Sequence, residues 1–529
     1  MNFLRLPDPL LSILFEDDDI IAIDKCYGFN AHTNDSKIEH STAIQDGLIE
    51  IFEKQLNRKL HIIHRLDQTT TGVMIFGKSV QSAKKYAEYF FNRQVFKTYW
   101  FITKSKSKKD SFYIDKTIIH KGKELEASTD LVFSKKRSHF ELWIAKPHTG
   151  RNHQIRIHAK QAEIPILGDS LYEGAGYPFL CLHNRSIEFP NGTIIESKPP
   201  IYFENLEILE DSQLARVFFE WDRRMRLFSN ADRHQCFRLA NVLDEKNKLD
   251  YSIDKYGDIL VLNWFKDNWD QEKLKRFTRL SEIYNKPLVI NLNGANKQQL
   301  CINIKIPSIE NEAREGNIQF ALTLNEKIIP TVHLNQRLQR NWILKNTDAK
   351  NVLILFAGYS SAALSSVSGN ANQVTIVENN QKQLKIAKIN FDLNALDTRN
   401  TKFLCRDSPH FIEQSVSKNI KYDLIICDIP SFYRREKSVF KIENDLTDFL
   451  NNCVQCLSPN GEILFSTIAE NIRIGDIHTI LTTIQKKNPR IKLGVNCILP
   501  SLDFELPNET AQLKSFLITT VRISTLTRS

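Results

Sequence analysis

Apolar positions recur along this chain in two different rhythms. Up to about residue 205 they come as short runs, IIAIDK, GVMIFGK, TYWFIT and FELWIAK, the length and composition of strands. One stretch among them, SVQSAKKYAEYFFNRQ (79–94), has helical spacing instead. Residues 10–205 therefore predict a mainly β, α+β domain that ends near SKPP (197–200). Residues 212–335 open on a basic helix, ARVFFEWDRRMRLF, followed by strand patterns in DYSIDKYGDILVLNWF, and predict a small α+β domain. From 336 to 525 strand and helix alternate through NVLILFAG, QVTIVEN, TKFLCRD, YDLIICDIP and GEILFST. That alternation marks an α/β doubly wound, Rossmann-like parallel sheet.

A length of 529 residues agrees with three domains, and 42% apolar with 25% charged residues is a globular balance. No apolar run reaches the ~18–20 residues a membrane helix needs. LLSILF (10–15) runs straight into Glu16, Asp17, Asp18 and Asp19, unlike a signal peptide, so no membrane partner is expected. Nine cysteines, an odd number, argue for reduced thiols and a cytoplasmic setting. The net charge of +9 is concentrated. Residues 54–160 carry 23 Lys/Arg against 8 Asp/Glu, while the rest of the chain is net acidic. Such a local surplus suits a surface that neutralises phosphates, and RNA is the expected partner.

In IIHRLDQTTTGVMIFGKS (62–79) Asp67 is the lone carboxylate beside His64, Arg65 and a run of threonines. By itself it reads first as an Asx-type cap of the turn before a strand. KPHTGRNHQIRIHAKQAEIPILGDSLYEG (146–174) then sets Arg151, His153, Gln154, Arg156 and His158 close together. Read as a strand, its alternation places Gln154, Arg156 and His158 on one face. KTYW (97–100) adds Tyr99, an aromatic able to stack on a base.

Taken in order, HRLDQTTTG, KTYW, TGRNHQIRIH and GDSLYEG resemble the RluA-type RNA pseudouridine synthases over about residues 13–205. The resemblance implies an α+β fold round an antiparallel sheet that isomerises uridine in RNA without cofactor or metal. It implies Asp67 as the catalytic aspartate, Arg156 as its partner, Tyr99 at the target base and Leu182 as an apolar floor. His64, Arg65, Arg151 and His153 are then RNA-binding candidates. A carboxylate serves as nucleophile or base, and a fixed cation keeps it ionised. Cys26 stands where that family has Pro.

From about 212 onward the chain resembles class I S-adenosylmethionine-dependent rRNA methyltransferases of the large-subunit guanine-N7 and cytosine-C5 type. The motifs are HLNQRLQR (333–340), the strand NVLILFAG, CDIPSF (427–432) and the tail CILPSLDFELPNETAQLKSFLIT (497–519). The resemblance implies Phe356 and Gly358 in the cofactor turn, Glu378 at the ribose, Asp407 at the adenine and Asp428 at the target base. Ser466 and Thr467 stand where the cytosine branch needs its nucleophilic Cys, which favours guanine. Ser360, Asn335 and Ile429 replace the usual Gly, Asp and Pro. Two readings follow: a uridine isomerase fused to a guanine methyltransferase, or an isomerase whose second half only delivers RNA. The target RNA is rRNA in the first place and tRNA in the second. Cys453 and Cys456 form a CxxC with no second pair, so no metal is expected.

Overall fold

The computed structural model describes residues 2–4, 12–33, 47–104, 107–120, 122–227, 235–244, 248–293, 297–303, 312–324, 327–328, 330–434, 439–501, 503–504 and 513–522. The chain forms two compact units, Pro9–Asp232 and Met1–Asp8 joined with Arg233–Ser529. The first is therefore an insertion near the start of the second.

The first unit is built on a sheet whose main path uses β1 (Ile13–Glu16), β2 (Ile20–Lys25), β3 (Thr71–Gly77), β4 (Phe96–Thr103), β5 (Ser111–Asp115), β6 (Ser128–Arg137), β7 (Phe140–Pro147) and β8 (Leu182–Glu188). They lie in the order β1-β2-β3-β8-β4-β7-β6-β5, antiparallel except where β3 meets β8. The central strand TGVMIFG is buried along its whole length, which is why it reads as a continuous apolar run. One face, with Ile20, Ala22, Val73, Ile75 and Ile187, packs under helix α1 (Val80–Phe91) through Tyr86. Ser79 caps that helix, its hydroxyl accepting the Ser82 N–H at 3.0 Å.

The helix expected to open a second domain, α2 (Ser212–Leu227), belongs to this first unit, which corrects the boundary drawn near 205–212. Phe219 stacks on Phe179 at 4.3 Å and meets Tyr27 edge-on at 4.8 Å. Arg226 is buried, paired with Asp24 and Asp222, and donates to Ser197 Oγ at 2.9 Å. A buried guanidinium needs such carboxylates, and one of them lies on β2.

The second unit opens on a five-stranded sheet, β9 (Phe237–Leu243), β10 (Leu249–Tyr256), β11 (Ile259–Trp264), β12 (Leu288–Leu292) and β13 (Gln298–Ile302). It continues without a compact break into the doubly wound part. There α3 (Arg337–Asn346) leads into β14 (Asn351–Leu355), α4 (Ser361–Ser368), β15 (Gln373–Glu378), β16 (Thr401–Cys405), α5 (Ser408–Ser417), β17 (Tyr422–Asp428), β18 (Leu457–Thr467), β19 (Ile491–Ile498) and β20 (Lys514–Arg522). The order is β19-β20-β18-β17-β14-β15-β16, with β20 alone antiparallel to its neighbours. Strand Asn2–Leu4 extends this sheet by pairing parallel with Asn496–Ile498 of β19. Strand order reverses between β14 and β17, the place where open α/β sheets form a crevice. Within the expected tail motif, residues 502 and 505–512 lie outside the described residues.

Candidate active sites

In the first unit, the loop carrying Asp67 is fixed by main chain rather than by its own carboxylate. The Thr70 N–H donates to the Asp67 carbonyl at 3.0 Å, so the turn closes without a side-chain cap. Lys25, wholly buried at the end of β2, donates to the carbonyls of Cys26, Gln68 and Thr70 at 3.2, 3.0 and 2.8 Å. Burial pulls its ammonium down to about 8, with Cys26 and Asp67 opposing. Gln68 and Gly28 exchange two further hydrogen bonds across the loop.

The carboxylate itself faces a guanidinium and an imidazole. Arg156 Nη1 donates to Asp67 Oδ2 at 3.4 Å, and His153 Nε2 lies 3.8 Å from the same oxygen. The other edge of the Arg156 guanidinium is locked to Asp169, Nε to Oδ2 at 2.7 Å and Nη2 to Oδ1 at 2.8 Å. Such a fork fixes both position and orientation. Tyr172 lies under the guanidinium at 5.0 Å, and its hydroxyl bonds His153 Nδ1 at 2.9 Å. Tyr99 is buried on β4, where burial and then the Asp67 charge hold its hydroxyl above the ordinary tyrosine range, a neutral ring. The pocket thus offers a carboxylate, a pinned cation and a flat uncharged wall.

Three expectations change. QIRIHAKQ is a helix, Gln154–Gln161, not a strand. Residues two apart on a helix point to different sides. Gln154 and His158, four apart, both reach Thr129 Oγ1, at 2.9 and 2.8 Å, while Arg156 turns to Asp67. His64, expected at RNA, accepts the Ile75 N–H at 3.1 Å and stacks on Phe90 at 4.8 Å. Burial lowers its pKa to about 3, so it is a neutral anchor for the loop. Arg151 is held too, its Nε donating to the Glu126 carbonyl at 3.0 Å. Arg65 is exposed, and Leu182 is buried on β8 with its carbonyl accepting from Thr71 Oγ1 at 3.4 Å. The sequence reading missed Asp169 and Tyr172, although both stand in the GDSLYEG motif it singled out.

In the second unit a cavity of about 310 Å³ opens at the carboxyl ends of β14, β15 and β17. Phe356, Gly358, Tyr359, Glu378, Asn380 and Gln383 line one end, and Gln336, Asp428 and Ser466 the other. Phe356 and Gly358 both have positive φ, 53° each, which turns the chain sharply out of β14. A Cβ added to Gly358 would meet no atom within 4 Å, so space lies open above that backbone. Glu378 accepts the N–H of Gly358 at 2.8 Å and of Asn380 at 2.9 Å, and its remaining lone pairs suit hydroxyl donors. The volume is at the lower end of small-molecule sites, about 300–1,000 Å³. These residues fit an adenosyl ligand. Asp428 accepts from Gln336 Nε2 at 2.6 Å and from Ser466 Oγ at 2.9 Å, and burial pushes its carboxyl up.

Asp407, expected at the adenine, is instead the cap of α5, accepting the His410 N–H at 2.8 Å, and it does not line the cavity. Asn379 and Asn380 occupy that end. Ile429 is buried and its N–H donates to the Ser466 carbonyl at 2.8 Å, so the missing Pro leaves a regular strand end. Asn335 sits in the turn Leu334–Gln336, outside the cavity lining. Cys453 and Cys456 are buried in the core, their thiols raised by burial. Ser360 keeps the left-handed turn that a Gly makes freely, at φ 63°, with its hydroxyl buried and unpartnered among the described residues. Ser360→Gly removes both costs and is expected to stabilise the unit by about 1 kcal/mol, a rise of ~2–4 °C in melting temperature. Calorimetry should show S-adenosylhomocysteine binding at least as tight as in the parent; weaker binding would mean that Ser360 helps hold the ligand.

A family described as RNA pseudouridylate synthase matches residues 19–161, and one described as S-adenosylmethionine-dependent methyltransferase matches residues 306–518. An uncharacterised RNA pseudouridine synthase of Haemophilus influenzae is 31% identical over 172 residues, 31% of this chain and 73% of that protein. A ribosomal RNA large subunit methyltransferase K/L of Pseudoalteromonas atlantica is 27% identical over 298 residues, 51% of this chain. The match spans only 41% of that relative's length. A structure described as a S-adenosylmethionine-dependent methyltransferase from Streptococcus mutans has a TM-score of 0.51 at 21% identity, over 58% of this chain and 80% of its own. That last likeness is one of fold.

Proposed function

Because the chain belongs through its first unit to the RNA pseudouridine synthases and carries a S-adenosylmethionine-dependent methyltransferase domain in its second, we propose that it is a two-headed RNA-modifying enzyme. Its first head isomerises uridine to pseudouridine. Its second methylates guanine at N7, and both act on large-subunit rRNA. The names of the methyltransferase relatives support that choice of RNA. Nine cysteines, none in a disulfide among the described residues, support a cytoplasmic setting.

The observation that carries the first activity is the chain Asp169–Arg156–Asp67. A guanidinium locked from behind aims the Asp67 carboxylate. Asp67 acts as nucleophile or base while the N1–C1′ bond breaks and a C5–C1′ bond forms. The C5 proton leaves and N1 gains one, so the change is an isomerisation and no cofactor takes part. Tyr99 receives the extruded uracil on its ring, which offsets an unstacking cost of a few kcal/mol.

At the second head, Glu378 would hold the ribose hydroxyls of the adenosyl group, and the open backbone at Gly358 would let the ligand approach. When bound, that ligand supplies an electrophilic methyl on sulfur. Guanine N7 offers a free lone pair and loses no proton, so the task left to Asp428 and its neighbours is alignment. The test is incubation of the full chain with unmodified large-subunit rRNA and labelled S-adenosylmethionine. Pseudouridine and labelled 7-methylguanosine are expected; label in 5-methylcytidine would overturn the guanine assignment.

RNA affinity should fall with salt. The basic stretch is partly neutralised within the fold, since Arg58 meets Glu16 at 2.9 Å, Lys59 meets Glu53 at 3.2 Å and Lys85 meets Asp19 at 2.7 Å. Neutralising Lys54, Arg58, Lys59, Lys84, Lys85 and Arg93 together should flatten the slope of log affinity against log salt by about one unit per lost phosphate contact, and by well under six in total. An unchanged slope would make the stretch a solvated face.

A further inference from the structure

Just past the Asp428 end of the second unit's cavity the chain forms a two-stranded ribbon, Phe432–Arg434 paired antiparallel with Val439–Lys441. Its register gives the ribbon two unlike faces. Tyr433 and Phe440, opposite one another, form the inner face. Tyr433 lines the cavity and meets Phe356 edge-on at 5.1 Å, while Phe440 is buried against Phe356 and Phe449. These contacts anchor the ribbon beside the cavity. The outer face carries the other two pairs, Phe432 with Lys441 and Arg434 with Val439. All four are exposed, Phe432 by 67%. Neither the Arg434 guanidinium nor the Lys441 ammonium has an ion pair or hydrogen bond among the described residues. Asp445 of the following helix is taken up by the Lys441 backbone N–H, at 2.7 Å. Isolated exposed apolar side chains are ordinary. An open aromatic ring set among unpaired cations next to a ligand cavity is the composition of a stacking platform for single-stranded nucleic acid.

We propose that this outer face carries the RNA strand beside the target base. The base next to the methylated one stacks on Phe432, and Arg434 and Lys441 meet the flanking phosphates. Continuity with the cavity selects that occupant: a nucleotide reaching Asp428 brings its neighbours over the ribbon, which begins four residues further along the chain. Stacking on a side chain needs an open base face, which a duplex does not present, so the second head takes its target from a single-stranded or looped segment. The proposal rests on the methyltransferase reading above and adds the form of RNA that the site accepts.

The test titrates the full chain, saturated with S-adenosylhomocysteine, with an end-labelled AAGAA pentaribonucleotide, which has no uridine for the first head, and follows fluorescence anisotropy. Phe432→Ala should weaken binding about tenfold or more, and Phe432→Trp should keep or exceed the parental affinity. In a pentamer whose two nucleotides next to the guanosine lack their bases, the parent should lose affinity by a similar factor, and Phe432→Ala should then have no further effect. Arg434→Gln and Lys441→Gln should each flatten the slope of log affinity against log salt by about 0.7. Every variant should keep S-adenosylhomocysteine affinity within about twofold, which reports an intact cavity. Equal binding of AAGAA by the parent and Phe432→Ala would overturn the proposal and leave the methyltransferase reading standing. An equal loss in Phe432→Ala with the abasic pentamer would also overturn it, since the ring would then act on the guanine or on the fold. A parental dimer that Phe432→Ala dissociates would overturn it too, by making the face a contact between copies of this chain. Failure of the parent to bind S-adenosylhomocysteine would instead sink the underlying reading.

Discussion

Asp67→Asn should reduce pseudouridine formation by about 10³-fold or more while leaving RNA affinity within a few-fold. The carboxamide is nearly isosteric, so the loop held by Lys25 through Gln68 and Thr70 keeps its shape. What disappears is the negative oxygen that Arg156 and His153 face. Loss of a nucleophile lowers turnover and leaves binding to the remaining contacts almost untouched. Single-turnover assays with enzyme in excess separate the two quantities. Turnover within tenfold of the parent would remove Asp67 from the reaction.

Arg156→Ala should fail twice over. It frees Asp67 from its orienting cation, and it strands Asp169, whose side chain is wholly buried. Removing one partner of a buried pair costs about 3–5 kcal/mol, a large share of the ~5–15 kcal/mol that holds a domain together. Inactivity in this variant alone would therefore be ambiguous. Replacing both partners, Arg156→Met with Asp169→Leu, removes the stranded charge and should recover most of the lost thermal stability. The double variant should nonetheless remain inactive, because nothing then holds Asp67. Recovery of activity along with stability would show that the pair is only a brace and that another group orients the carboxylate.

The parts of both sites read most easily from sequence were those whose chemistry sits in one contiguous string. HRLD and KTYW place Asp67 and Tyr99 directly, and the doubly wound half announces itself through buried apolar strands such as NVLIL. Period-two alternation misled at QIRIHAKQ, because over eight residues a helix with polar groups at i and i+4 also satisfies it. Asp169 was hidden for a different reason: its partner lies 13 residues away across a turn, a tertiary relation with no local period. The cap at Asp407 and the cavity-lining acids Glu378 and Asp428 look alike in sequence, since each stands at or just past the end of a strand. Helix Ser212–Leu227 follows an exit-like SKPP, yet its Arg226 returns to Asp24 on the second strand of the fold.

The pairing of Asn2–Leu4 with Asn496–Ile498 has a consequence for biosynthesis. A ribosome makes one strand nearly five hundred residues before the other, which at ~5–20 residues per second is a delay of roughly 25–100 s. The inserted unit has ample time to fold in that interval, since single domains fold in microseconds to seconds. The outer strand of the methyltransferase sheet therefore closes only after the rest of the chain is in place. It acts as a seal added late in maturation, and until then the edge of β19 is open to pairing with other chains.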